Sequence, residues 1–520
     1  MLNQIISFIR AQRESGDLLT LGLRPKAGLH IRIPMTQQGG VGDGVNPGSW
    51  DIDLEAAEAV VYDGKSEPGS EFDWIIEKDP YIWITSKKGR PDTQKVLDFP
   101  IRRIHTATAL AFGCKRQSLP SIVKEVDGKQ RIYGGEVFDK DPVNLLSWVK
   151  KYFEYAYKYV PREEVEKLKV FESCFHDFNK VMSFLSKIDG FIELSKNDYV
   201  IFYLDSPIEK YKQYHQEYLA EKLFNNSAAK PVVIENERIG VATFLTGYGN
   251  KKPFLKHQRA PFEINRRITA EEAADLALFH SVMNRRFFPR ALPIFPVDKH
   301  NINAKFNEVV KREYGKRSDN TFREIIRAIQ KLGGTDAEQL DLLYYLGGEI
   351  VSFEKANMAG YRLETAEDPN WRVEQLITET SSQSPLDASV YRTMRDTFDL
   401  EENILPELFV NELAIKDKTG KVIIRRYFDD LPARPGKDNI MLGVRAYRFA
   451  FYRLIYAGKR QEINARTFQE LMATSIDYSI KQDEENTITT KRGEVIKTHT
   501  EEANIRRKIN ILFSLWGHFD

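Results

Sequence analysis

The stretch FPRALPIFPVDKHN, residues 288 to 301, sets Pro289, Pro293 and Pro296 close together. Proline has no amide N–H and its ring clashes with the preceding helical turn, so no helical periodicity runs through this stretch. The sequence differs in kind on its two sides. Upstream, HIRIPM, DWIIEKDPYIWITSKKG, DYVIFYLDSP and PVVIENERIGVATFL are short β-branched and aromatic runs bounded by Gly, Pro, Asn or Asp, which predicts strands and hairpins. Between them, DPVNLLSWVKKYFEYAYKYV and PREEVEKLKVFESCFHDFNKVMSFLSKI carry apolar residues three and four apart, which predicts helices.

Downstream the periodicity becomes helical. NAKFNEVVKREYG, DNTFREIIRAIQKLG, DAEQLDLLYYLGGEIVSFEKANM, DASVYRTMRDTF, NIMLGVRAYRFAFYRLIYAG, ARTFQELMATSIDYSIKQ and EEANIRRKINILFSLWGHF read as amphipathic helices, several opening on a capping Asn or Asp. AIKDKTGKVIIRRYF reads as a hairpin insertion. The expected fold class is α+β, a mixed N-terminal α/β region followed by a C-terminal α-helical bundle. The expected limits are 1–298, a helical connector at 299–350, and the bundle at 351–520.

Composition narrows the function classes. The chain has 520 residues, 42% of them hydrophobic, and can bury large cores. Cys114 and Cys174 are the two cysteines, too few for a disulfide framework or a Cys-rich zinc site, so a reducing, intracellular setting is expected. MLNQIISFIRAQRESGD reads as an ordinary opening helix, and YRFAFYRLIY is interrupted by Arg448 and Arg453, so no membrane role is expected. The formal net charge of +1 excludes a generic basic coat for DNA but leaves room for a reader whose charge is local.

Such a local concentration occurs at 248–267. In YGNKKPFLKHQRAPFEINRR, Lys251, Lys252, Lys256, Arg259, Arg266 and Arg267 stand against Glu263 alone, with Tyr248, Phe254 and Phe262 between them. Cationic heads neutralise phosphates and interleaved rings stack on bases, so this composition points to a nucleic-acid groove. The bland reading is a solvated charged surface pinned by its Phe residues. Next comes ITAEEAADLALFHSVMNRRFFPR, where Thr269 and Glu272 have capping-box spacing and Arg285, Arg286 and Arg290 gather at the far end. The helix dipole also favours arginines there.

Other motifs carry weaker chemistry. TQQGGVGDGVNPGS, residues 36 to 49, lacks the Lys-Ser/Thr of a P-loop and reads as a mobile glycine-rich loop, either plainly disordered or ordering on a partner, with the Gln37 and Gln38 amides then able to reach base edges. GCKRQS gathers Lys115, Arg116 and Gln117 into a basic and amide cluster suited to a groove. His176-Asp177 resembles the central pair of HD-type metal phosphohydrolases, but further ligands at a recognisable spacing are missing and an ordinary helical pair is the simpler reading. YGGEVF and YLGGEIVSF are similar to the Gly-Gly-acidic hairpin of palm-type polymerases and cyclases. Each supplies a single carboxylate, Glu136 or Glu349, where two-metal chemistry needs a pair.

GVATFLTGYGNKKPFLKHQRAPFEINRRITAEEAADL, residues 240 to 276, together with LPIFPV at 292–297, resembles the large subunits of CRISPR type I-B Cascade complexes. The resemblance implies a binding and scaffolding subunit without nuclease activity, in the cytoplasm of a prokaryote. Its partners would be crRNA, double-stranded target DNA with its adjacent motif (the PAM), and the backbone, crRNA 5′-end and small subunits of Cascade. A helicase-nuclease or a transposition machinery would act downstream. The 1–298 region would then recognise target and PAM, with Gln37, Gln38, Lys115, Arg116 and Gln117 as candidate readers.

The bundle would take the small-subunit role, with Arg445, Arg448 and Arg453 of MLGVRAYRFAFYRLIYAG guiding the displaced strand, and Arg285 and Arg286 would join the phosphate contacts. Some relatives start a separate small subunit inside the message, for which Met394 is the candidate start, giving 127 residues (520 − 394 + 1). With two cysteines no zinc insertion, and hence no metal or cofactor, is carried over. The rivals are a metal-dependent nuclease centred on His176 and Asp177, and a scaffold that binds only protein.

Overall fold

The computed structural model describes residues 1–15, 18–19, 22–37, 50–83, 103–126, 129–140, 142–224, 231–242, 244, 267–314, 321–333, 338–363, 371–377, 393–416, 422–485, 487–489, 495–497 and 501–519. Helix α1 (Leu2–Ser15) opens the chain and buries Ile5, Ile6, Phe8 and Ile9. The backbone then separates into two compact units, one formed by Leu19–Ser281 and the other by Met1–Leu18 with Val282–Asp520.

In the Leu19–Ser281 unit the elements are β1 (Gly28–Ile33), β2 (Met35–Gln37), β3 (Trp50–Ile52), β4 (Glu58–Tyr62), α2 (Asp73–Lys78), β5 (Ala111–Lys115), β6 (Ile122–Val126), β7 (Lys129–Tyr133), α3 (Pro142–Ala156), α4 (Arg162–Ser173), α5 (Phe178–Leu185), β8 (Tyr199–Leu204), α6 (Ile208–Lys222), β9 (Val232–Ile234), β10 (Glu237–Gly240), β11 (Ile268–Thr269) and α7 (Ala270–Asn284). A four-stranded sheet ordered β4-β1-β8-β5 holds its core, with β1 and β8 parallel and the outer strands antiparallel. Parallel neighbours need a long crossover, and here the chain between them supplies α2 to α5. Leu29, Ile31, Val200, Ile201 and Phe202 are fully or almost fully buried, as both-sided coverage requires. Phe112 stacks on Phe175 with centroids 4.3 Å apart, and the Tyr152 hydroxyl lies 2.7 Å from the carbonyl oxygens of Thr108 and Ala111 and 2.8 Å from Thr106 Oγ1.

The other unit continues with β12 (Ala291–Ile294), α8 (His300–Glu313), α9 (Thr321–Gln330), β13 (Gln339–Leu346), β14 (Glu349–Asn357), α10 (Thr397–Asn403), α11 (Leu405–Leu408), β15 (Ala414–Lys416), β16 (Val422–Arg425), α12 (Asp438–Tyr456), α13 (Ala465–Glu485), β17 (Thr487–Thr489), β18 (Val495–Lys497) and α14 (Glu502–Leu515). Helices dominate it, around an antiparallel sheet ordered β12-β13-β14. Tyr344 of β13 packs edge-on against Tyr452 of α12, which stacks with Tyr456 one turn later.

The α+β class holds, and β15–β16 is the hairpin expected within AIKDKTGKVIIRRYF. Three elements differ from expectation. In DASVYRTMRDTF the described residues 393–396 are not helical: Thr393 and Asp396 form bridges with Arg372 and Arg362, and Asp396 caps α10, which starts at Thr397. DWIIEK is the helix α2, not a strand: Ile75 and Lys78, three apart, are its buried positions, and buried Asp79 and Ile82 follow in and after the single 3-10 turn that succeeds it. QLDLLYYLGGEIVSFEKAN is a hairpin, not a helix. β13 is buried at six consecutive positions, so the alternation that marks a half-buried strand is absent, and Gly347 (φ 63°) and Gly348 (φ 94°) make the left-handed two-residue turn that a helix could not contain.

The expected limits shift for the same reason. The division falls at Ser281/Val282 instead of 298/299, because the proline-rich stretch supplies β12 to the second unit's sheet, and 350/351 falls inside β14. Met394 is fully buried, its amide bonded to the Trp371 carbonyl. A chain starting there would lack β13, β14 and Trp371. Among the described residues no helix is long and apolar enough to cross a membrane.

Candidate nucleic-acid interface

Strands β10 and β11 pair antiparallel through Ile239↔Thr269 and Gly240↔Ile268, so the chain leaves the small sheet at Val241 and returns to it at Arg267. The basic, aromatic stretch is that excursion. Lys251, Lys252, Lys256, Arg259 and Arg266 lie outside the described residues, while Arg267 at its end is exposed. The return is locked by the capping box that the spacing predicts: the Thr269 amide donates to Glu272 Oε2 at 3.1 Å, and the Glu272 amide donates to Thr269 Oγ1 at 3.1 Å. The point where β11 becomes α7 is therefore fixed on both sides of the turn.

At the far end of α7 the three arginines part company. Arg285 is half-buried, lies 5.5 Å from the centroid of the Phe287 ring, and is pulled down to a pKa of about 10 by desolvation. Arg286 is exposed in a left-handed conformation with φ 62°. Arg290 faces Asp429 at 3.6 Å. On α12, Arg445 is exposed, but Arg448 donates to the carbonyls of Arg426 (3.2 Å) and Asp429 (2.6 Å) and fixes the loop before its own helix. Arg453 is held by Glu354 (3.0 Å) and Glu462 (3.6 Å). Of the expected strand-guiding trio, Arg445 alone presents its charge without these structural ties.

The groove-reading cluster needs a correction. Arg116 is fully buried; its Nη1 donates to the Pro120 carbonyl at 2.9 Å, its Nη2 to the Tyr133 carbonyl at 2.8 Å, and its plane lies 4.6 Å from the Phe191 ring centroid. Burial lowers its pKa, and a guanidinium so enclosed cannot read a base. Lys115 and Gln117 beside it are half-buried, and the Gln117 carbonyl accepts from the Val137 amide at 3.0 Å. Gln37 pairs through its backbone with Trp50 in the β2–β3 ribbon, and Gln38 lies outside the described residues.

The hydrolase and cyclase motifs resolve into structural roles. Asp177 caps α5, accepting from the amides of Asn179 (3.0 Å) and Lys180 (3.4 Å), while His176 is exposed and 3.3 Å from Glu172. Among the described residues no group of three His, Cys, Asp or Glu side chains converges as metal ligands. Gly134 (φ 72°) and Gly135 (φ 79°) leave β7 in left-handed conformations, and Glu136 beyond them is exposed. Glu349 opens β14 directly after the Gly347-Gly348 turn.

Composition alone does not single out Lys124, Lys129 and Arg131, all exposed on the β6–β7 ribbon. The signal for them is Asp127-Gly128 between two alternating runs, the dipeptide that favours a tight hairpin. No family model matches the sequence, and no curated protein or solved structure matches it either.

Proposed function

We propose that the chain is a non-catalytic large subunit of a type I-B-like CRISPR effector complex. It would contact crRNA and target DNA, recognise the PAM and support the opened duplex. The observation that carries the reading is the 248–267 stretch: six cations against one acid, interleaved with aromatic rings, on an excursion whose ends are tied together by β10 and β11. The resemblance of residues 240–276 and 292–297 to the type I-B large subunits supplies the rest.

In this reading Lys251, Lys252, Lys256, Arg259, Arg266 and Arg267 contact phosphates, Arg286 and Arg445 are exposed cations of the other unit available for contacts of their own, and Arg116, Arg448 and Arg453 are scaffold. The test is charge reversal of Lys251, Lys256 and Arg259 in the assembled complex. DNA binding is expected to weaken, and the three lost phosphate contacts to flatten the log–log salt dependence by about 2.7, at about 0.9 per contact. DNA binding equal to that of the parent removes the phosphate assignment of the 248–267 stretch. Metal-stimulated cleavage by the purified chain would favour the His176-Asp177 nuclease instead.

A further inference from the structure

The β6–β7 ribbon departs from what a merely structural hairpin would show. Its register places Lys124 directly opposite Arg131, with Lys129 at the tip of the same face, and none of the three has an ion-pair partner among the described residues. Like charges directly opposite each other destabilise an antiparallel pair by some tenths of a kcal/mol. Alternation sends Glu125 to the other face, so it does not neutralise them. That other face carries Val123, 55% exposed, directly opposite Ile132, 70% exposed. Among the described residues the two strands pair with each other and with no further strand.

The base of the ribbon, by contrast, is rigid. Buried Arg116 bonds to the carbonyl of Pro120, two residues before β6, and to that of Tyr133, the last residue of β7, and so ties both strand ends to one guanidinium. Ile122 packs on the core below it. With Lys124, Lys129 and Arg131 on one face against Glu125 and Asp127 in the whole ribbon, and both strand ends held at its base, the cationic face is arranged to meet a polyanion.

We propose that the β6–β7 ribbon is a second nucleic-acid contact, lying in the groove of a duplex with Lys124, Lys129 and Arg131 toward the phosphates and Val123 and Ile132 toward sugars and base edges. The major groove of a double helix, about 12 Å wide, admits a two-stranded ribbon. Duplex is favoured over single strand because single-strand sites rely on exposed aromatic rings for stacking, and the exposed ribbon side chains are aliphatic, amide or charged. The proposal uses none of the residues of the 248–267 stretch and stands or falls independently of it.

The experiment compares the full-length parent chain with K124Q/R131Q and with the charge-matched control K331Q/K416Q, whose exposed lysines lie in the other unit. Fluorescence anisotropy with a labelled DNA duplex and its single strand is followed across a salt series. Loss of two phosphate contacts flattens the duplex log–log slope by about 1.8 and weakens duplex binding more than single-strand binding, while the control behaves as the parent. Thermal stability of K124Q/R131Q should equal or exceed the parent's, because the like-charge pair is gone.

Parental affinity and slope in K124Q/R131Q overturn the proposal, as does an equal loss on both ligands or in the control. K251Q/K256Q/R259Q, measured beside them, separates the two sites. If binding is lost there and kept in K124Q/R131Q, the ribbon proposal fails and the excursion reading stands. The opposite pattern removes the excursion reading and keeps the ribbon.

Discussion

The Arg116 guanidinium occupies the space that a Cβ on Gly134 would need. Gly134 also has φ 72°, so two constraints meet at one residue: the left-handed turn after β7 and the close passage of a buried cation. Gly134→Ala is therefore expected to destabilise the Leu19–Ser281 unit by about 1–3 kcal/mol, combining backbone strain with displacement of a group bonded to Pro120 and Tyr133. A lower denaturation midpoint, with earlier hydrogen exchange in peptides covering residues 116–135, checks it. An unchanged midpoint would mean that Arg116 has room to move and does not fix the ribbon.

The Arg116 case shows what was legible in the sequence and what was not. GCKRQS announces a basic residue but not its burial, because what encloses Arg116 comes from Pro120, Tyr133 and Phe191. Local signals did better: the Thr269–Glu272 box and the long amphipathic helices α12, α13 and α14 depend on spacing within one segment, and they form where spacing puts them. β13 was misread because a strand covered on both faces loses its period-two pattern, leaving an apolar run that periodicity cannot distinguish from a helix. Arg448 and Arg453 read as free surface charge on a helical wheel, yet the carbonyls of Arg426 and Asp429 and the carboxylates of Glu354 and Glu462, all outside α12, engage them.

A chain beginning at Met394 removes groups on which the remaining helices depend. Tyr361 donates its hydroxyl to the Tyr456 carbonyl at 2.7 Å, and the Trp371 ring packs against Phe519 at 5.3 Å and His518 at 4.9 Å. Arg327 holds Asp396 and Asp399 at 2.7 and 2.9 Å, and without it those buried carboxylates lose their common cation. Unpairing a buried ion pair costs about 3–5 kcal/mol. Residues 394–520 expressed alone are thus expected to retain helical far-UV dichroism but to bind a hydrophobic dye and lack a sharp thermal transition. Cooperative melting without dye binding would show that the segment folds by itself and would restore Met394 as a start site for a separate subunit.

Among its described residues the Leu19–Ser281 unit buries His30, His105, His215 and His280, and the titration of the first three gives it a direction of acid sensitivity. Desolvation lowers His30, His105 and His215 from 6.5 to about 4 each. His30 sits between the Tyr203 hydroxyl (3.1 Å) and the Lys26 carbonyl (2.8 Å), and His215 packs edge-on against Tyr81. Between pH 6.5 and about 4 the unfolded chain binds protons that the folded chain refuses, so each histidine withdraws stability as the pH falls through that window, by roughly 3 kcal/mol at most.

Asp79 acts in the opposite sense: burial raises it to about 6, so the folded state takes up its proton first and gains stability as the pH falls from 6 toward 3.8. Three histidines outweigh one carboxyl, and the unit should lose stability on net below pH 6.5. His215→Phe keeps an aromatic ring beside Tyr81 and removes one titrating group, so its stability should fall less steeply than the parent's between pH 6.5 and 4. Denaturant midpoints across that range, followed by hydrogen exchange in peptides from β1 and β8, measure the difference. Parallel curves for parent and H215F would mean that His215 takes up its proton in the folded state as readily as in the unfolded one.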